Sequence, residues 1–588
     1  MIVLLLAILF SLSAIQIGLP GLYLDGVNPD YLITRITGGN LDNPIWIAMS
    51  VGIPVLAQLY HGVLTPILGL PFYWLFGTNV VTLRMVNTLY IAIIIILLYY
   101  IIKKNSSIRK DSPPFFICLS LIVSMPVIFT TRSQLYVNLP GMFLLLMTVA
   151  CILRGTEKIS IRAILLSGFT IGISIYSYIF YLFFVPALVV ILLTAPNITL
   201  PKTKRLAVFG LGLCFGASPY ALAYGKLFFE NVFEPSSIQG SFALFFLAVF
   251  VVLLPPFFVI LFNREVHKKK KLIYKCVTTV VLTTILAFLL WLLATGKLQQ
   301  GGSAIIEKIT SLNTTFTKKH GSIAQRINAL WEYFVRLSSN RFLEIYFVGE
   351  QTSIFASVYL YTFGALQISA AFISIILKRV HAANLRIWLY SNILILSLFV
   401  FGIPFSTRLG PHHFISVYFL MALSTGGAVD IILSSLSRRH TLWIKLISGM
   451  LIMSLLTVSA INRIRLGNAL EKTGGLGYYS EEYDKVAYNA LSEKEQGIQA
   501  IYYFPEWGFM SNFNFLTNNT IKYQDHVDEK MVQQSAIEYD VIHIFFADKI
   551  NEPVYVSLLD SLVEADLKYK TYFTRDGKET FYSITVIP

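Results

Sequence analysis

The feature that most constrains this chain is its series of apolar runs, each about twenty residues long and separated by short basic loops. A backbone inside hydrocarbon must satisfy its N–H and C=O groups within its own segment, so such runs fold as membrane-crossing helices. Composition agrees. Of 588 residues, 55% are hydrophobic and 13% charged, against about 25% charged in ordinary soluble domains. The runs predict thirteen spans, near 1–20, 84–102, 114–130, 140–153, 163–178, 181–195, 206–224, 241–262, 276–296, 356–377, 387–404, 414–434 and 443–461. Met1–Leu19 has no basic leader and no small-residue cleavage site, so it reads as a retained first span rather than a signal peptide.

Charge orients these spans. Lys103, Lys104, Arg109 and Lys110 fall in one of the alternate loops, and Arg154, Lys158 and Arg162 in the next of that set. Lys202, Lys204 and Arg205, then Lys268 to Lys271, Lys378 with Arg379, and Arg438 with Arg439 continue it. Basic residues in short loops mark the cytoplasmic side. The N-terminus is then cytoplasmic and the C-terminus external, in the cytoplasmic membrane of the cell. The net charge of +14 is split: residues 1–465 carry an excess of basic residues and residues 466–588 an excess of acidic ones. The basic balance therefore belongs to the membrane part, where it sets orientation and meets anionic lipid, and implies no nucleic-acid partner. Cys118, Cys151, Cys214 and Cys276 all lie in apolar runs, which argues against a disulfide framework or a cysteine metal cluster.

Two chain regions follow. Residues 1–465 form a membrane module with external loops at 21–87 and 297–355, and residues 466–588 a small external α/β domain. In the second loop, Ile323, Ile327, Leu330, Tyr333, Phe334 and Leu337 recur at helical spacing, as in an interfacial helix, a lid, or a helix packed on the bundle. In the tail, Gln499–Phe504, Tyr539–Phe546, Lys568–Phe573 and Thr580–Val586 read as strands, the last two joined at an Asp576-Gly577 hairpin turn. Residues 528–538 and 554–564 read as helices. Asn197, Asn313 and Asn518 open glycosylation-type triplets, with Asn197 on the cytoplasmic side.

Ionisable residues gather at the external mouths of the spans. The first loop carries Asp25, Asp30, Arg35, Asp42 and His61, with Tyr60 beside the histidine and Arg84 entering the second span. Arg132 follows the third span, and Arg408, His412 and His413 lie between the eleventh and twelfth. A carboxylate beside several cations suits one reaction well: the base accepts a hydroxyl proton while the cations hold a departing phosphate. The competing structural reading makes Asp25 and Asp30 helix caps and the arginines anchors to lipid headgroups. There is no P-loop, GxSxG elbow, HExxH or CxxC pair.

These motifs resemble the GT-C superfamily of polyprenol-phosphate-dependent glycosyltransferases, in the branch of the protein O-mannosyltransferases and the aminoarabinose transferase (a glycosyltransferase family 39-like pattern). LYLDGVNPDYLITRI places an acid after the first span, as that family does. Tyr60-His61, Pro71–Gly77 and Arg84–Leu89 follow its Lys-Pro-Pro-Leu-Tyr-Tyr-Trp, Phe-Gly and Arg-Leu-Pro pattern. Ser406–His413 is similar to its Arg-Tyr-Leu-Leu-Pro. Three departures stand out: Gly26 replaces a second acid, Tyr60-His61 replaces Lys, and Asn138 stands where relatives have Asp. The resemblance implies an all-α polytopic bundle with an external α/β domain, and an inverting transfer from a polyprenyl-phosphate-linked sugar to a lipid, glycan or protein hydroxyl. It implies Asp25, with Asp30 as the second carboxylate, as the base. His61, Arg132, Arg408, His412 and His413 would bind the donor phosphate, and Arg35, Tyr60 and Arg84 would serve the acceptor side or the loop. No metal is required, although a divalent ion is compatible. A transporter or flippase for a lipid-linked glycan, or a non-catalytic assembly subunit, are the alternatives; against the first, the spans carry few mid-span charges.

Overall fold

The computed structural model describes residues 1–39, 48–50, 53–58, 61–106, 111–127, 132, 139–153, 159–195, 198, 200–220, 223, 323–355, 357–377, 382–406, 409–435, 438–506, 508–559, 562 and 566–588. The membrane part opens with α1 (Ile2–Ala14), followed in the first external loop by the short turns α2 (Leu24–Val27) and α3 (Thr34–Thr37), with a 3-10 turn at Asp30–Ile33 between them. Strands β1 (Ala48–Ser50), β2 (Ile53–Gln58) and β3 (His61–Gly62) form a small antiparallel sheet. Then come α4 (Leu64–Phe76), α5 (Val80–Asn105), α6 (Ser112–Val123), α7 (Leu139–Ile152), α8 (Ile161–Ser177), α9 (Val185–Thr194) and α10 (Lys202–Gly216). Within the loop at 297–355 lie α11 (Ile323–Ser338) and α12 (Arg341–Val348), and after it follow α13 (Val358–Leu377), α14 (Ala382–Gly402), α15 (Ile415–Ser435) and α16 (Arg438–Thr473).

Among the described residues, four helical segments are long and apolar enough to cross a membrane: Val80–Asn105, Val358–Ile375, Leu385–Phe405 and Pro411–Ser435. Several other expected spans are shorter apolar helices. α1 has 13 residues, a rise of about 20 Å where the hydrocarbon core is about 30 Å thick. The expected spans at 241–262 and 276–296 lie outside the described residues, as do Lys268 to Lys271. Fifth and sixth spans are joined by a six-residue 3-10 helix at Ile179–Phe184. The change to acidic composition at 466 falls inside α16, a single 36-residue helix.

Local chemistry sets the helix ends. Asn79 caps α5, its side chain accepting from the Thr82 N–H at 2.9 Å, and Lys103 and Lys104 face the negative end of the helix dipole in its last turn. α8 and α10 touch backbone to backbone along Gly168/Gly172 and Gly212/Gly216. A Cβ built on Gly168 would lie 2.0 Å from the Phe209 carbonyl oxygen, and one on Gly172 2.4 Å from that of Leu213. Both helices carry small residues four apart, the pattern that lets membrane helices approach closely. α11 forms as its spacing predicts, but it buries only Leu330, Phe334 and Leu337, while Ile323 and Ile327 stay exposed.

The C-terminal unit begins with α17 (Glu481–Glu495) and β4 (Ala500–Tyr503), then α18 (Met510–Leu516), β5 (Tyr523–Gln524), α19 (Glu529–Glu538), β6 (Val541–Phe546), α20 (Glu552–Leu559), β7 (Asp566–Phe573) and β8 (Glu579–Ile587). Its five-stranded sheet has the order β5-β4-β6-β8-β7. β4 runs parallel to β5 and β6, and β8 antiparallel to β6 and β7. Gly577 sits at φ +85° in the turn between β7 and β8, which favours glycine there. Alternation along β4 sorts the core: Ile501 and Tyr503 face α19, whereas Tyr502 and Phe504 join Phe513, Phe545 and Phe581 on the side facing the membrane module.

That second face clasps the first external loop. Gly21 N–H donates to the Tyr479 carbonyl at 2.8 Å and Leu22 N–H to Asp484 Oδ1 at 3.1 Å. Asn512 Nδ2 donates to the Leu22 carbonyl at 2.9 Å, and Thr34 Oγ1 to Asn514 Oδ1 at 2.7 Å. Asn518 and Asn519 donate to the carbonyls of Thr37 and Gly39 at 3.0 and 2.9 Å. The Asn518 side chain is thus engaged inside the interface.

The contact between α8 and α10 gives a direct test. Gly172→Val and Gly216→Val each place methyl groups where backbone already lies, and overpacking of this kind costs on the order of 1–3 kcal/mol or more. We expect earlier thermal aggregation of the detergent-solubilised protein for both, and little change for Gly210→Val, since no atom lies within 4 Å of a Cβ at that position.

Candidate active site

The acidic loop is built from two turns, not one helix. α2 ends at Val27, and a new turn starts at Asp30 after Asn28-Pro29. Asp30 is wholly buried, and its Oδ1 accepts from the Tyr73 hydroxyl at 2.6 Å; its Oδ2 has no partner. Tyr73 comes from α4, whose first turn in turn receives the Tyr90 hydroxyl of α5 on the Thr65 carbonyl, at 3.1 Å. Asp25 is only partly covered and forms no side-chain hydrogen bond or ion pair among the described residues. Burial pushes both carboxyls up to about 7.

A second cluster gathers three histidines from distant parts of the chain. β3 brings His61 onto the end of α8, where its ring stacks on Tyr178 with centroids 4.3 Å apart. The Tyr178 hydroxyl lies 2.7 Å from His413 Nε2, and the rings of His412 and His413 are 4.1 Å apart. Gly410 N–H donates to His413 Nδ1 at 2.9 Å. The Gly410 carbonyl oxygen lies 3.2 Å from the same nitrogen. Burial, with His413 nearby, pushes His61 down to about 3, so this ring is neutral at ordinary pH. α11 and α12 cover the cluster: Phe334 packs on Phe414, and the Phe342 and His412 rings are 6.3 Å apart.

The arginines are used differently. Arg132 donates from Nη2 to the carbonyls of Ser13 and Ile15 at 2.6 and 2.7 Å. Arg84 donates to the Ile17 carbonyl at 2.5 Å and to that of Pro20, and Arg463 to that of Leu12. Three guanidinium groups thus collect on the open carbonyl end of α1, where the helix dipole is negative. This is the anchoring role weighed in the sequence reading, with backbone rather than headgroups as the partner. Arg35 is exposed. Tyr60, Arg408 and Asp42 lie outside the described residues.

Sequence reasoning missed Tyr73, Tyr178 and Asp484. Tyr73 stands in the sequence only as one aromatic of the Pro71–Gly77 motif, and Tyr178 only as the end of an apolar run; neither carries a signal of its own until the chain folds. Asp484 caps the Leu22 N–H near Arg84, and burial pushes it also to about 7. Buried Glu344 in α12 accepts from Thr352 at 2.9 Å and from Ser353.

The pH dependence follows from these carboxyls. Their folded pKa values near 7 stand above the unfolded value of about 4, so between those limits the folded state holds more protons. Stability is therefore highest at the acid end and falls as pH rises through 7. We expect the melting temperature to drop between pH 5 and 7.5. Asp30→Asn keeps an acceptor for Tyr73 and removes one buried charge, so it should flatten that drop and raise the melting temperature at pH 7.5. A variant less stable than the parent at pH 7.5 would contradict this account.

Comparison with known proteins places this geometry in context. Residues 61–220, from His61 through α10, match the family described as dolichyl-phosphate-mannose-protein mannosyltransferase. No curated protein matches the chain. The structure is similar to ArnT from Cupriavidus metallidurans in the apo state, at 11% identity, TM-score 0.46, covering 99% of this chain and 97% of that one. ArnT from the same organism bound to undecaprenyl phosphate gives a TM-score of 0.45 at 11% identity, with 99% and 97% covered. The Archaeoglobus fulgidus oligosaccharyltransferase in the apo form gives 0.42 at 11% identity, covering 98% of this chain and 74% of that one. The family match over residues 61–220 bears out the resemblance to the GT-C superfamily that the first external loop and the spans after it carry in their sequence.

Proposed function

We propose that this protein is a membrane glycosyltransferase that moves a sugar from a polyprenyl-phosphate donor to an acceptor hydroxyl at the external face, with inversion at the sugar. The observation that carries the reading is the pair of carboxyls in the clasped loop. Asp30 is locked on Tyr73 and sealed from solvent, while Asp25 is partly accessible, has no counter-ion among the described residues, and is raised by burial to about 7. A base with a pKa near the working pH is the one best matched to taking a hydroxyl proton.

In this reaction Asp25 accepts the acceptor O–H proton as that oxygen attacks the anomeric carbon. The bond from that carbon to the phosphate oxygen breaks, and polyprenyl phosphate leaves with the bonding pair. Asp30 and Tyr73 act as positioning residues that fix the loop beneath Asp25. We assign the phosphate to the cluster of His61, Tyr178, His412 and His413, which offers hydrogen bonds rather than full charges. Support comes from the family description of residues 61–220, which names a polyprenol-phosphate sugar as donor. Arg132 and Arg84 serve this site indirectly, by holding the end of α1 from which the loop departs.

The test is Asp25→Asn, which keeps the shape and removes the base. Membranes carrying it, supplied with a panel of radiolabelled polyprenyl-phosphate sugars, should transfer at least about 10²-fold more slowly, with donor binding and folded yield retained. A variant keeping most of its activity would overturn the assignment of Asp25.

A further inference from the structure

Between the acidic loop and the C-terminal unit lies a cleft of about 180 Å³. Leu24, Asn28 and Tyr31 form one wall, and Phe504, Glu506 and Asp525 stand across it with Met510 and Ser511 of α18. Leu24 and Asn28, which line it, flank Asp25 in sequence at the α2 turn. The loop side and the tail side are nearly five hundred residues apart in sequence, so the cleft exists only because the two are clasped together.

Its chemistry is one-sided. Asn28 is 1% exposed, and its Oδ1 has no partner. An orphaned buried acceptor costs about 1–3 kcal/mol unless a ligand supplies a donor. Glu506 also faces the cleft, its own oxygens already engaged by Ala547 N–H at 2.7 Å and Asn551 Nδ2 at 2.8 Å. Asp525 adds a second carboxylate, and among the described residues no Lys or Arg lines the space. A phosphate or carboxylate entering here would meet negative charge without compensation. A hydroxyl-rich group brings the donors the walls lack, and Leu24, Phe504 and Met510 give it an apolar floor, the usual balance of a small-molecule site.

We infer that this cleft is the acceptor subsite, and that it takes a sugar-sized polyhydroxyl group, uncharged or amine-bearing, and excludes phosphorylated acceptors. The inference rests on the glycosyltransferase reading for the transfer step, though not for the binding step. Asn28 is three residues along the same turn from the carboxylate proposed to accept the proton.

Binding and transfer are measured separately on the full-length protein in detergent. Saturation-transfer NMR with a neutral oligosaccharide, an amino-sugar oligosaccharide and a phosphorylated analogue reads the cleft without any turnover. The first two should bind and the third should not. Met510→Trp, which fills the cleft from a partly exposed position, should weaken oligosaccharide binding at least tenfold while leaving polyprenyl-phosphate-sugar affinity unchanged. Asp525→Lys should admit the phosphorylated analogue. Glycan binding that Met510→Trp abolishes, with no transfer by the parent protein, would uphold the cleft and remove the enzymatic reading. A preference for the phosphorylated analogue, or oligosaccharide binding unaffected by Met510→Trp, would overturn the inference.

Discussion

The clasp between the first external loop and the C-terminal unit is the contact on which the site depends. It is made of polar groups buried between two apolar cores. Asp484, Asn512, Asn514, Asn518 and Asn519 satisfy backbone or side-chain groups of Leu22, Thr34, Thr37 and Gly39. Each such bond adds only about 1 kcal/mol, but leaving one partner buried and unmatched costs more, so the set is specific out of proportion to its net stability. Gly21 and Gly38 permit the approach, since a Cβ on either would fall within 2.3 Å of backbone oxygens of Ser480 and Asn518.

The clasp also explains the electrostatics of the loop. Desolvation is the leading cause of the raised pKa values of Asp25 and Asp30 in the loop and of Asp484 in the C-terminal unit that meets it. Burying three carboxyls disfavours the folded state at neutral pH. The arginines offset part of this at one remove: Arg84 lies near Asp484 and, with Arg132 and Arg463, stabilises the carbonyl end of α1.

The histidine cluster is the site to which we assign the donor phosphate. Where the resembling family has Lys, this chain has Tyr60-His61, and the sequence leaves open whether that contact is neutral or pH-dependent. In the fold, His61 is buried against Tyr178 and neutral, while Gly410 holds the His413 ring at Nδ1. Neutral donors in a low-dielectric site hold a phosphate by direction more than by charge.

The sequence by itself determined the membrane class, the acidic C-terminal unit with its principal strands and hairpin, the α11 helix, and the residue types at the span mouths. These are local properties: hydropathy over twenty residues, alternation over six, helical spacing, and an Asp-Gly turn are all read without knowing what packs where. It was also enough to place Asp25 and His61 in a motif. Tertiary structure alone decided which ionisable groups share a site. It sent Arg84 and Arg132 to the end of α1, joined His61 to His413 through Tyr178, and set Asp30 on Tyr73. It also drew the cleft between Asn28 and Asp525. Those outcomes depend on contacts between residues hundreds of positions apart, and on desolvation, which arises only when one element covers another.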